Sequence, residues 1–189
     1  MKSGIQAAST TLLTADDLFQ LDDEVRGELI RGVFCEMTPP GHEHGRVVAL
    51  LTHALVAHVE VRQLGVVVAG DSGVHLEHDP DTVRAPDIAF TASERLPGGR
   101  AIHRYVQTVP DLVVEVVSPS DRRAAVRDKA RMWLSFGVQL VWVVFPVACT
   151  VEVHRADTDA AETLTQADSL DGGDVLPGFA YPLERLFAT

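Results

Sequence analysis

The chain has 189 residues, the length of one domain with a sizeable core. Hydrophobic residues make up 46% and charged residues 23%, which excludes a disordered chain, a collagen-like repeat and a disulfide-dense miniprotein. Sixteen Lys and Arg stand against 27 Asp and Glu, a net charge of −11, and a field of that sign taken alone argues against a nucleic-acid partner.

Residues 1–13 read as a frayed arm. Thr14-Ala15-Asp16-Asp17-Leu18 predicts a short capped helix with acids in its first turn. Arg26–Ile30 and Val33–Met37 flank Arg31-Gly32, a hairpin signal, and Thr38-Pro39-Pro40-Gly41 then breaks the chain. From Gly45 to Gln63, Val47, Leu50, Leu51, Leu55 and Val59 recur at helical spacing, and Gly65 ends the run. Val66–Val68 predicts a strand that Gly73–Glu77 continues after a bend. His78–Thr82 reads as a turn, and Val83–Phe90 as one further strand interrupted at Pro86. Ser93–His103, with Pro97-Gly98-Gly99, reads as a mobile loop.

Leu112–Val117 has the apolar pattern of a buried strand. Ser118-Pro119-Ser120-Asp121 predicts a helix opening, with Ser as cap, running to Phe136 and stopping at Gly137. Leu140–Phe145 is a second apolar strand, with Thr150–His154 paired behind it and a weak strand at Thr163–Thr165. A helix between two apolar strands makes that pair parallel. The tail of the region 156–189, with anchors between Leu176 and Leu186, is expected to dock on the body. The reading is a single domain over 1–189, with a core at 14–155. Its class is α/β (α+β): a mixed β-sheet flanked by helices, with an N-terminal β-hairpin. Cys35 and Cys149 read as reduced core thiols. No stretch has signal-peptide or membrane-span length, so the expected setting is cytoplasmic, with no membrane partner.

Three polar residues break these patterns. Glu115 stands inside an apolar strand, on the face of Val113 and Val117, where an ionised carboxylate costs several kcal/mol unless paired or metal-bound. Asp87 follows Pro86, with small Ala85 and Ala89 on its face of the strand. Lys129 flanks the helix stripe of Val126, Ala130, Trp133 and Gly137. Each has a plainer alternative: a Glu paired with an Arg, a turn Asp beside an edge proline, a Lys covering apolar surface. Together, two carboxylates and a Lys suit a hard cation and phosphodiester hydrolysis. Asp111 lies four residues before Glu115, about 13 Å along a strand, too far to share one ion with it directly.

This ordered series of Pro86-Asp87, Glu115, Ser118-Pro119-Ser120, Lys129 and Gly137-Val138 to Trp142 resembles the PD-(D/E)XK nuclease superfamily. More narrowly, the chain is similar to a restriction-endonuclease family expanded in some bacterial genomes and long catalogued as a domain of unknown function. The likeness extends through Glu28-Leu29-Ile30-Arg31-Gly32, Met37-Thr38-Pro39-Pro40 and His44, over residues 14–155. The resemblance implies a restriction-endonuclease-like core and Mg2+- or Mn2+-dependent cleavage of DNA. It implies that Asp87, Glu115 and the backbone carbonyl of Val116 hold the metal. Glu28 matches a family acid that adds a ligand or accepts a proton, and His44 a recurring His without a stated role. The superfamily Lys two residues after the Glu is Val117 here, and Lys129 matches the helix Lys that replaces it in the narrower family. A homodimer suits a nuclease that cuts both strands.

His42-Glu43-His44 and His75-Leu76-Glu77-His78 lack the helical two-His spacing of metalloproteases, so neither is read as a zinc site. Trp133 and Trp142 read as core. Five of the sixteen basic residues, Arg122, Arg123, Arg127, Lys129 and Arg131, fall on one helix and form a local basic rim for phosphates. The functional expectation is a metal-dependent DNA endonuclease. Its alternatives are a non-catalytic nuclease-fold subunit, favoured by the acidity and Val117, and a hydrolase of a small phosphorylated substrate.

Overall fold

The computed structural model describes residues 12–21, 25–96, 104–119 and 121–188. The expected arm at 1–13 and loop at 93–103 fall largely outside these. Helix α1 (Ala15–Phe19) opens on Thr14, whose hydroxyl accepts the Asp17 N–H while the Asp17 carboxylate accepts the Thr14 N–H. Strands β1 (Gly27–Ile30) and β2 (Val33–Glu36) form the expected hairpin. Helix α2 (His42–Arg62), capped by Gly41, starts three residues earlier than the periodicity suggests, which puts His44 on its first turn. Val47, Leu51, Leu55 and Val59 recur every four residues and are fully or almost fully buried. Each fully buried apolar side chain of this kind contributes about 1.5–3 kcal/mol.

Strand β3 (Gly65–Ala69) and strand β4 (Val74–Glu77) do not continue one another. Gly70 and Asp71 at φ +80° and +60° turn the chain out of β3's sheet, and β4 joins a different one. The expected strand Val83–Phe90 also divides, into β5 (Thr82–Arg84) and β6 (Ile88–Ala92), which belong to separate sheets. Pro86 has no N–H to carry a ladder through. The Ala85 N–H, at the corner, donates instead to Glu28 Oε1 at 2.9 Å.

Strand β7 (Leu112–Val116) is followed by α3 (Arg123–Ser135) and β8 (Leu140–Phe145), and β7 and β8 are parallel, as expected. Helix α3 does not open at Ser118. The Asp121 carboxylate accepts the Ser118 N–H at 2.7 Å and the Asp121 N–H returns to the Ser118 carbonyl at 3.0 Å. That closed turn competes with the helix and delays it to an Arg122 cap. Ser120 lies outside the described residues.

Strands β9 (Thr150–Arg155) and β10 (Glu162–Thr165) complete a six-stranded sheet of order β10-β9-β8-β7-β6-β3. The second sheet has the order β2-β1-β5-β4. In the tail, β11 (Ser169–Asp171) pairs with β12 (Ala180–Pro182) ahead of α4 (Leu183–Phe187). Leu176, Phe179, Leu183 and Leu186 are buried in one cluster with residues of α2 and the large sheet. Strand alternation splits the core. Leu112, Val114 and Val116 face α2 and the tail, whereas Val113, Val141 and Val143 face Ala130 and Trp133 of α3. Glu115, one residue out of phase with Val114 and Val116, therefore points at α3. Both cysteines are free and half-buried rather than core residues.

Candidate active site

The β6–β7 register pairs Ile88 with Val114 and Ala89 with Val113. Extended by one residue, it sets Asp87 opposite Glu115, and residues directly opposite in an antiparallel pair share a face. Extended by two, it sets Pro86 opposite Val116. A proline offers no N–H, so β6 gives the Val116 carbonyl no ladder donor there. The Val116 N–H donates to Asp87 Oδ2 at 2.6 Å, which ties that carboxylate to the end of β7 beside Glu115.

Three elements converge on this pair. From α2, His44 Nε2 lies 3.1 Å from Asp87 Oδ1. From α3, Lys129 Nζ lies 3.0 Å from Glu115 Oε2 and Trp133 donates its indole N–H to Glu115 Oε1 at 2.7 Å. From β1, Glu28 Oε1 lies 3.0 Å from the same Lys129 Nζ, and Glu28 Oε2 lies 3.0 Å from Arg84 Nε. Lys129 also donates to the Ala85 carbonyl at 3.2 Å. All six named positions of the sequence reading, Glu28, His44, Asp87, Glu115, Val116 and Lys129, thus fall in or beside one cleft of about 580 Å³. The bland reading of Glu115 holds in part: it is an ion-paired acid, but its partner is Lys129 rather than an Arg.

The charges are under stress. Burial, with Asp87 adding to it and Lys129 opposing it, pushes the Glu115 carboxyl up to about 7. Burial pulls Lys129 down, but Glu115 and then Glu28 outweigh it and hold the ammonium above its ordinary value. Burial likewise lowers His44, and Asp87 more than reverses the shift. Asp71, from the turn after β3, lines the same cleft, and burial followed by repulsion from Asp87 raises its carboxyl. Glu28, Asp71, Asp87 and Glu115 face the permanent cations Arg84 and Lys129. Carboxylates thus outnumber the cations around the cleft. The donors are carboxylate oxygens with spare lone pairs and a carbonyl, a hard set that fits Mg2+ or Mn2+.

The sequence reading missed Asp71, whose signal was only a turn, Gly70-Asp71-Ser72-Gly73. It took Trp133 as plain core, whereas its buried indole also orients Glu115. Asp111 belongs elsewhere, bonded to the Ala92 N–H, Arg95 and Gln139. The basic rim is mostly neutralised: Arg127 pairs with Glu152, Arg131 with Asp128, and Arg123 lies over the Phe145 ring. Of those arginines, Arg122 lines the cleft. The second His cluster is brought together with an acid: one ligand atom each from His75, His78 and Asp81 lies within 4.8 Å of the others. Among the described residues, no helix is long and apolar enough to cross a membrane.

Comparison with known proteins bears on the whole of this arrangement. The model of the Uma2 family, described as "Putative restriction endonuclease", matches residues 15–184. The fold is shared with a putative nuclease from Anabaena variabilis ATCC 29413, at a TM-score of 0.77 and 20% identity, over 93% of this chain and 97% of that one. No curated protein matches.

Proposed function

The chain belongs to the Uma2 family, and we propose that it is a metal-dependent endonuclease that hydrolyses phosphodiester bonds of DNA in the cleft of Asp87, Glu115 and Lys129. One observation carries the reading. Lys129 reaches from α3 to within 3.0 Å of Glu115, so a helix residue brings an ammonium to the acid that Val117 cannot serve.

In this reading Asp87, Glu115 and the Val116 carbonyl hold Mg2+ or Mn2+, with Asp71 and Glu28 nearby. A divalent ion there supplies Lewis-acid polarisation of a phosphate oxygen and acidifies water. The chain's own groups set the geometry. The Val116 N–H and His44 fix the Asp87 carboxylate from two directions. Trp133 fixes Glu115. Lys129, whose three N–H groups go to Glu115, Glu28 and the Ala85 carbonyl, offsets charge that grows on the phosphate. Glu28, itself gripped by Arg84 and the Ala85 N–H, keeps the ammonium in place. Arg84 and Arg122 on the cleft lining meet flanking phosphates.

The test is nicking of supercoiled plasmid and of single-stranded DNA with Mg2+ or Mn2+, by wild type and Asp87→Asn. The reading expects cation-dependent nicking that the substitution lowers at least a hundredfold. Equal activity of the two proteins overturns it. A second reading, a non-catalytic subunit on a nuclease fold, is favoured by the pairing of Arg127 and Arg131 with acids on a chain of net charge −11. It expects no melting-temperature rise with Mn2+; a rise of several degrees that Glu115→Ala abolishes counts against it.

A further inference from the structure

We propose that the β4–β5 hairpin carries a separate transition-metal site, of the Zn2+ class, formed by His75 of β4 and by His78 and Asp81 of the turn. One ligand atom from each of the three lies within 4.8 Å of the others. A cation at the centre of such a triangle needs only small side-chain adjustments to reach bonding distance. The two imidazoles already lie side by side, with ring centroids 4.0 Å apart and planes tilted by 54°.

His75 carries an independent indication. It is only 9% exposed, its Nε2 finds no hydrogen-bond partner, and that atom stands 3.5 Å from Asp81 Oδ1. A buried ring nitrogen without a partner is costly in an apo protein. A metal ion satisfies it. His78 is exposed, which leaves an entry path for the ion.

The donor set selects the ion. Two imidazoles and one carboxylate suit borderline cations such as Zn2+, not Mg2+, whereas Asp87, Glu115 and the Val116 carbonyl in the cleft are all oxygen donors. The two sites thus differ in class as well as place. Three protein ligands leave a fourth position for water.

The site's role follows from what Asp81 already holds. Its Oδ2 accepts the Ala15 N–H of α1 at 2.7 Å, and its carbonyl accepts the Gly32 N–H of the β1–β2 turn at 2.8 Å. Beside it, the Arg31 N–H donates to Thr82 Oγ1 at 3.0 Å. An ion bound here fastens the β4–β5 turn, the β1–β2 turn and α1 together. The same small sheet carries Glu28 on β1 and Arg84 on β5, so the ion is a structural clamp on the sheet behind the cleft. The inference does not rest on the nuclease reading.

The test measures metal directly. Protein stripped with EDTA is incubated with Zn2+ and desalted, and its zinc is measured by mass spectrometry for wild type, His78→Ala, His53→Ala and Asp87→Asn. The expected result is one zinc per chain fewer in His78→Ala than in wild type and His53→Ala, whatever zinc the cleft gives up in Asp87→Asn. Zn2+ also raises the melting temperature of wild type by several degrees and leaves His78→Ala unmoved. Co2+ in place of Zn2+ gives visible absorption that is absent from His78→Ala. Because His78 is exposed, the metal-free variant melts with metal-free wild type. Equal zinc in wild type and His78→Ala overturns the proposal. A Zn2+-induced rise in melting temperature that Asp87→Asn abolishes and His78→Ala keeps also overturns it, because it places the stabilising ion in the cleft instead.

Discussion

Replacing Lys129 by Met removes one charge and keeps the length and apolar stem of the side chain. The ammonium lies 3.0 Å from both Glu115 and Glu28 and is little exposed. Taking away one partner of a buried ion pair leaves an uncompensated charge and costs about 3–5 kcal/mol. For a domain of this size each kcal/mol moves the melting temperature by about 2–4 °C, so Lys129→Met is expected to melt about 6–20 °C lower. The loss grows with pH. Glu115 titrates near 7 even with Lys129 beside it, and without the ammonium its carboxyl rises further. At pH 6 the orphaned acid therefore stays protonated and the loss is small, whereas at pH 9 the charged form is forced and the loss is large. Thermal unfolding followed by circular dichroism in EDTA measures this. A melting temperature within a degree or two of wild type at pH 9 refutes the reasoning. The double variant Lys129→Met/Glu115→Gln sharpens the test. Removing the orphaned carboxylate is expected to restore part of the lost stability, and simple additivity of the two single changes refutes the coupling.

The raised carboxyl of Glu115 sets a second expectation. Its folded value of about 7 exceeds the ordinary glutamate value of 4.5, so between these the folded chain binds more protons than the unfolded one. Stability from this group is then fully present below pH 4.5 and lost as pH rises to 7, by about 3 kcal/mol. Urea midpoints at pH 5 and pH 8 for wild type and Glu115→Gln measure it, and an equal pH slope in both contradicts it. Asp111→Ala is expected to lower stability by about 1–3 kcal/mol, because the Ala92 N–H, Arg95 and Gln139 lose an acceptor. Nicking per folded molecule should stay at the wild-type level, and its loss at unchanged stability would put Asp111 at the chemistry.

The central part of the site was legible because its residues violate their surroundings. A Glu in the run Leu112–Val116 is anomalous in any apolar strand, and the 3.6-residue period alone sets Lys129 beside the stripe that meets it. The parallel β7–β8 pair was legible from the helix between two apolar runs. The corner at Pro86 was not. Alternation records which face a residue takes, not which sheet the strand joins, so Val83–Phe90 reads as continuous while the chain changes sheets. The start of α3 was misplaced for a similar reason. Ser118 and Asp121 have cap chemistry, but a side chain that closes a local turn and one that caps a helix are the same residue types. Asp71 and the cluster of His75, His78 and Asp81 depend on turn geometry, which spacing rules drawn from helices do not describe. The pairing of Arg127 with Glu152 was hidden because α3 and β9 meet only in the folded chain.

The corner at Ala85-Pro86 puts the acids around the cleft on two separate platforms. Asp87 and Glu115 ride on the six-stranded sheet and Glu28 on the four-stranded one, and one short stretch of backbone joins β5 to β6. Lys129 spans the seam, holding an acid from each platform and the Ala85 carbonyl between them. Any rotation of the small sheet about that corner changes the distance of Glu28 from the other two while theirs stays constant. The set of acids around the cleft is therefore fixed by how this single corner holds one sheet against the other.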